Sequence, residues 1–246
     1  MGPTSLLQPI EKEHVWEGRR RYYRIGGKVR PGVTTVLDVV KDDRWLKRWE
    51  ERLGKDEAER QRVRAARRGT RLHARIENWL LSGSEQPTLF DEAEEERYGL
   101  VGEVEMLWRS AAPVLNRIKN PLLVEGNVWW EDPQARPEFG TGFAGCIDCV
   151  AELDGRLLIL DWKTSDRTRK PLNWMHAYVA QAAGYTTAFN QRYAEPLGLK
   201  VEGAAICLFN TKGQPPQVEI LDLNTLDVNR HAFLCAVKRF HRTFQP

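Results

Sequence analysis

Two aspartates and a lysine stand inside what otherwise reads as two buried strands: Asp148, Asp161 and Lys163 in GCIDCVAELDGRLLILDWKTS, residues 145–165. Asp154-Gly155 between the two apolar runs is the signature of a two-residue type I′ hairpin. In the register such a loop sets, Leu153 pairs with Arg156 and, without a bulge, Asp148 stands opposite Asp161. Cross-strand neighbours have Cβ atoms about 4.5–5.5 Å apart, where like charges repel. Carboxylates this close need a cation or a shared proton, and their oxygens are suitable hard ligands for Mg²⁺ or Mn²⁺. Lys163 follows Asp161 by two residues and so projects from the same strand face. There an ammonium can hold a water and neutralise developing negative charge. The Trp162 carbonyl is a further ligand candidate. The plainer alternative is a buried Asp–Lys ion pair with Asp148 turned to solvent at a sheet edge, an arrangement made uncommon by desolvation.

The elements that must position these groups follow from periodicity and turn residues. RRYYRI is a short strand after an N-terminal loop, and Gly26-Gly27 a turn. GVTTVLDVV opens a short helix with a threonine as candidate cap. Helices are expected at Trp45–Leu53, at Asp56–Leu81 with an internal Gly69, and at Glu92 to about Ile118; SEQPTLFD is a loop. PLLVEGNVWW, GFAGCIDCVAEL and RLLILDWKT are short, apolar and bounded by Gly, Pro and Asp, as strands are. A helix (Asn173–Tyr193), two strands (VEGAAICLFN, PQVEILDL) and a last helix (Thr225–Thr243) complete the chain. This order predicts an α/β fold: one central mixed sheet flanked by helices, with an N-terminal helical lobe. One domain over 1–246 is expected, the lobe spanning 34–118 and the core sheet with its flanking helices 121–246.

Composition limits the alternatives. The chain has 246 residues, 41% hydrophobic and 29% charged, with a net charge of +3; it is too apolar for disorder. No apolar run is long enough to cross a membrane. The start, MGPTSLLQPIEKEH, lacks a secretory layout, and Leu6 stands where a myristoylation site needs Ser or Thr; the cytoplasm is the default expectation. Cys146 and Cys149 have CxxC spacing but fall within one strand run, where they point to opposite faces. With Cys207 and Cys235 they are read as buried free thiols.

The ordered motifs resemble the PD-(D/E)xK nuclease superfamily. Gly145 and Asp148 form GxxD in one strand, Asp161-Trp162-Lys163 follows in the next, and Gln181-xxx-Tyr185 lies on the following helix. Upstream, GVTTVL (32–37) and RGTRLHARIE (68–77) also match, more narrowly, the RecB-type exonuclease branch, which includes mitochondrial and phage nucleases. The resemblance runs from about Val33 to Tyr185 and implies a restriction-endonuclease-like core. It implies that His73, Asp148, Asp161 and the Trp162 carbonyl ligate Mg²⁺ or Mn²⁺, with Lys163 as the catalytic lysine. Glu125 occupies a place where some members carry another acid. Glu77, one turn after His73, is either a supporting group or a surface acid, with the surface favoured. Relatives with an iron–sulfur cluster carry one cysteine before the histidine motif and three grouped near the C-terminus; here none precedes Cys146, so no cluster is expected.

By the same resemblance the partner is DNA, single-stranded in the leading reading, and the activity an exonuclease. A structure-specific or restriction-like endonuclease and a non-catalytic binding subunit with a vestigial site remain as alternatives. Gln181 and Tyr185 would contact or support the site. Trp174 and Tyr178, on the same helix face by spacing, could stack on bases or pack in the core. Arg64, Arg67, Arg68, Arg71 and Arg75 fall within about 100° of helix surface with His73 nearly opposite. That stripe is expected to guide a strand or, by slight preference, to pair with the acidic run at 91–105.

Overall fold

The computed structural model describes residues 7, 10–18, 20–41, 44–83, 96–100, 102–133 and 142–244. Strands β1 (Glu13–Glu17), β2 (Arg20–Ile25) and β3 (Lys28–Pro31) form a small antiparallel sheet in that order. The strand expected at RRYYRI is its middle; β1 falls where a loop was read. Helix α1 (Val33–Asp38) follows, with Gly32 at its N-cap and no side-chain cap. Neither threonine caps it. Thr35 Oγ1 instead accepts the Arg21 N–H at 3.2 Å and donates to the Arg21 carbonyl at 2.9 Å, tying α1 to β2.

Helices α2 (Arg44–Leu53) and α3 (Lys55–Ser82) agree with expectation; the loop read at SEQPTLFD lies outside the described residues. Helix α4 covers only Glu103–Leu115 of the run expected from Glu92. Gly99 and Gly102 take φ of 62° and 77°, a left-handed backbone that a right-handed helix cannot continue through. Residues 92–95 lie outside the described set.

The main sheet has five strands in the order β4-β5-β6-β7-β8: β4 (Ile118–Trp130), β5 (Phe143–Leu153), β6 (Arg156–Ser165), β7 (Gly203–Asn210) and β8 (Gln217–Leu221). It is mixed, because β6 and β7 run parallel and the other pairs antiparallel. The parallel pair requires a crossover, supplied by α5 (His176–Phe189), which widens into a π-helical turn at Asn190–Ala194. Helix α6 (Leu223–Phe244) closes the chain. No helix among the described residues is long and apolar enough to cross a membrane.

Each face of the sheet has its own apolar cluster. On one, Val33 and Val36 of α1, Tyr185 and Phe189 of α5 and Phe233 of α6 pack against Leu123, Ile147, Val150 and Ile159. On the other, Leu72 and Ile76 of α3 and Leu107 and Trp108 of α4 pack against Cys149, Leu160, Trp162 and Phe209. Full burial of a side chain such as Leu72 contributes about 1.5–3 kcal/mol. All four cysteines are free, but only Cys149 and Cys207 are buried; Cys235 is exposed, on the solvent side of the amphipathic α6.

Candidate metal centre

The hairpin forms as its turn residues require: Asp154 and Gly155 take φ of 53° and 79°, and Leu153 pairs with Arg156. The expected register holds up to Cys149 opposite Leu160 and stops one residue short of the two acids. Asp148 and Asp161 therefore do not meet as a ladder pair. In place of a ladder bond, Asp148 Oδ2 accepts the backbone N–H of Trp162 at 2.6 Å. Ile147 and Cys149 pack into opposite clusters, although residues two apart on a regular strand share a face, so the alternation breaks at Asp148. It breaks in β4 as well. Leu123 and Val128, five apart, join the same cluster, and between them Glu125 takes φ 45°. Non-glycine residues in such conformations gather at functional sites.

These two irregularities aim two acids at one histidine. Leu72 and Ile76 fix the buried face of α3, and His73 between them reaches the sheet. His73 Nδ1 lies 3.5 Å from Asp148 Oδ1 and 3.5 Å from Glu125 Oε1. One ligand-capable atom from each of the three lies within 4.8 Å of the others. Asp161 stands outside this trio: 1% exposed, it meets Lys163 Nζ at 2.5 Å through Oδ2. The ion pair of the plainer sequence reading is thus present, but Asp148 is not turned to solvent; it is 9% exposed.

Opposite charges counter the cost of burial across the group. Burial works against the His73 imidazolium, but Asp148 and Glu125 outweigh it and raise His73 to about 10. Burial alone would raise Asp148; His73, Lys163 and the Trp162 N–H hold it below its ordinary value. Burial raises Asp161 to about 6, the Lys163 ammonium opposing and the Asp148 charge adding to the rise. Burial also opposes the charge on Lys163, yet Asp161 and Asp148 lift it above its ordinary value.

The donor set fits a hard divalent cation: two carboxylates and an imidazole converge. Nearby, the buried Asp161 meets Lys163 through Oδ2, and its Oδ1 has no hydrogen-bond partner among the described residues. Glu125, which sequence reasoning left outside the ligand set, is brought into the trio. Glu77 is half-buried rather than a surface acid, and burial together with the Glu125 charge raises its carboxyl. Trp162 meets the group through its N–H, while its indole packs in the core.

Beneath the acids, Gln181 Nε2 donates to the Tyr185 hydroxyl at 2.8 Å. Burial, with the Asp161 and Asp148 charges, keeps that phenol protonated. The ring of Tyr185 requires Gly145: a Cβ there would lie 2.5 Å from Tyr185 Cε1. Tyr178 is half-buried, with Lys163 Nζ 5.2 Å from its ring centre. Trp174 is 59% exposed and so belongs to no core. Three arginines of the stripe pair with acids of the expected run, Arg64 with Glu103 at 2.6 Å, Arg68 with Glu103 at 3.3 Å and Arg75 with Glu105 at 3.0 Å; Arg68 also meets Asp166 at 2.5 Å, and Arg67 lies 5.2 Å from the Tyr98 ring centre.

A helical histidine, acids on successive strands and a lysine two residues after the last acid agree in order with one sequence family. The PD-(D/E)XK nuclease superfamily profile matches residues 43–242. The chain belongs to that superfamily. Its match extends past the motifs through β7, β8 and most of α6 and so takes in the whole mixed sheet. Nucleases of this superfamily use divalent metals, in keeping with the donor set. Among curated proteins, mitochondrial genome maintenance exonuclease 1 of Mus musculus is 24% identical over 199 residues, 78% of this chain and 53% of that protein. The Homo sapiens protein of the same name is 26% identical over 199 residues, 78% of this chain and 52% of its own length. The chain spans about half the length of these relatives.

Proposed function

We propose that this nuclease is a metal-dependent DNA exonuclease that hydrolyses phosphodiester bonds in single-stranded DNA or at DNA ends. The observation that carries the reading is the convergence of His73, Glu125 and Asp148 beside the Asp161–Lys163 pair. His73, Asp148, Asp161 and the Trp162 carbonyl would hold Mg²⁺ or Mn²⁺, with Glu125 joining them. Such a cation supplies a bound water of lowered pKa and a positive charge for the phosphate oxygens. The name exonuclease carried by both curated relatives supports the mode of cutting.

The remaining work falls to the chain's own residues. The Trp162 N–H fixes one oxygen of Asp148 and leaves the other facing His73. Lys163, kept charged by Asp161, is placed to hold the attacking water and to neutralise charge developing on the phosphate. The Gln181–Tyr185 bond props the acids from α5. A vestigial binding subunit would be expected to lack an acid or the lysine; here the set is whole. We read the chain as one domain, with 34–118 as its helical part, and its four free thiols as suited to a reducing, cytoplasmic setting.

Single-stranded DNA labelled separately at its 5′ and 3′ ends tests the reading, with a circular single strand alongside. Metal-dependent shortening of the linear strand with the circle intact is expected. Cutting of the circle would move the assignment to an endonuclease, and binding without cutting in any metal would overturn it.

A further inference from the structure

The route of the strand is a separate question, because three arginines of the obvious basic surface are already paired with acids. On α3, Arg64, Arg68 and Arg75 are paired with Glu103, Glu105 and Asp166. The connection between β6 and α5 differs. Its cations Arg167, Arg169 and Lys170 have no carboxylate within ion-pair distance among the described residues, and the segment ends on an exposed aromatic, Trp174. Arg167 Cζ lies 5.2 Å from the centre of the Trp174 ring.

This segment is tied to the core by hydrogen bonds. The buried Gln217 accepts the Lys170 N–H at 2.7 Å and donates to the Lys170 carbonyl at 2.8 Å. Trp174 N–H donates to the Pro171 carbonyl and Met175 N–H to the Leu172 carbonyl, each at 2.9 Å. Met175 is fully buried, so its side chain anchors the turn while Trp174 points outward at 59% exposure. The surface also joins the metal centre. Tyr178 has Lys163 Nζ 5.2 Å and Lys170 Nζ 5.7 Å from its ring centre.

We propose that Arg167, Lys170 and Trp174 form a platform for a single strand of DNA, the indole stacking on a base and the two cations holding the flanking phosphates. This rests on the nuclease reading for its substrate. Single-strand sites combine cations that track the backbone with aromatic faces that stack on bases. A duplex keeps all base faces but those of its terminal pairs inside its own stack, so the indole finds far less to stack on there. The platform therefore favours an unpaired strand, delivered past Tyr178 to Lys163.

The test is equilibrium binding by fluorescence anisotropy, using a fluorescein-labelled oligothymidylate and a hairpin duplex as probes. It is run in the Asp161→Ala background with Mg²⁺ and in wild type with chelator. Trp174→Ala should weaken oligothymidylate binding about tenfold, within the range measured for base–aromatic stacking, and leave duplex binding alone. Trp174→Phe should keep most of the affinity. Arg167→Ala with Lys170→Ala should lower the salt-dependence slope by about 1.4, two phosphate contacts at about 0.7 each. Unchanged oligothymidylate binding in Trp174→Ala, equal losses for both probes, or a loss in Trp174→Phe as large as in Trp174→Ala would overturn the platform. Because binding is read without cleavage, the two claims separate. A platform that fails beside a wild type that cuts leaves the nuclease standing; a platform that holds beside a wild type that never cuts leaves only the platform.

Discussion

Asp148 accepts the Trp162 N–H at 2.6 Å with one carboxylate oxygen and faces His73 at 3.5 Å with the other. One side chain thus completes the backbone bonding where the β5–β6 ladder stops and supplies charge to the candidate metal centre. The two roles separate by mutation. Asp148→Asn keeps an acceptor for Trp162 and removes the charge; Asp148→Ala removes both. Both variants should lose cleavage. Asp148→Ala should unfold more easily than Asp148→Asn by about 1–3 kcal/mol, the cost of an unsatisfied buried donor. Urea unfolding of the two variants checks this.

Cation uptake should release protons. Metal-free His73 sits at about 10 and Asp161 at about 6, and a ligating imidazole or carboxylate must be deprotonated. Apparent affinity for Mn²⁺ should therefore climb as pH rises from 6 to 9. Calorimetric titration in two buffers of different ionisation enthalpy reads the release directly. In the metal-free protein the His73 shift has the opposite consequence. Its folded value lies above the model-peptide 6.5, so its contribution to stability is complete below about pH 6.5 and fades as pH rises through about 10.

Gly145 is a packing requirement rather than a chemical one. A Cβ there would lie 2.5 Å from Tyr185 Cε1 and 3.3 Å from Val33 Cγ2. Gly145→Ala should cost about 1–3 kcal/mol, the usual range for overpacking a core. It should also lower cleavage by displacing the tyrosine that Gln181 holds under the acids. Thermal melting and a cleavage rate on the same preparation read both effects.

The arginines of α3 should differ in stability effect rather than in DNA binding. The Arg68 side chain is 7% exposed between Glu103 and Asp166, whereas that of Arg64 is 48% exposed. Arg68→Ala removes a buried guanidinium and its packed stem, while the partners left behind, Glu103 and Asp166, stay in reach of water at 22% and 74% exposure; it should destabilise by about 1–3 kcal/mol. Arg64→Ala should cost under about 1 kcal/mol, as exposed pairs do. Denaturant midpoints for the two variants decide the point.

The hairpin was legible because an Asp-Gly turn fixes register over a short distance, and Asp148, Asp161 and Lys163 lie within nine residues of it. Glu125 was a candidate acid, but its place beside His73 and Asp148 was not legible, since residues 131–142 separate β4 from β5 and register cannot be counted across so long a connection. The φ of 45° that redirects its side chain leaves no mark in the residue type. The ladder's end short of Asp148 was hidden for a similar reason: counting from a turn assumes regular pairing, and like charges face to face resist it. The continuous helix expected from Glu92 is interrupted before α4: Glu96 and Arg97 are helical, but Gly99 and Gly102 adopt a backbone that ends a helix. Trp174 and Tyr178 share a helical spacing, yet Trp174 falls in the 3₁₀ turn before α5, where exposure depends on what packs nearby.

The central claim is that the group around Asp148 and Asp161 is the site of phosphodiester hydrolysis. Its most direct test is cleavage of single-stranded DNA by wild type, Asp161→Asn and Lys163→Met, each in Mg²⁺, Mn²⁺ and chelator, with folding of each variant verified by its melting profile. Metal-dependent cleavage by wild type and its loss in both folded variants is the predicted result. Cleavage that survives Asp161→Asn, or that proceeds in chelator, would contradict the assignment.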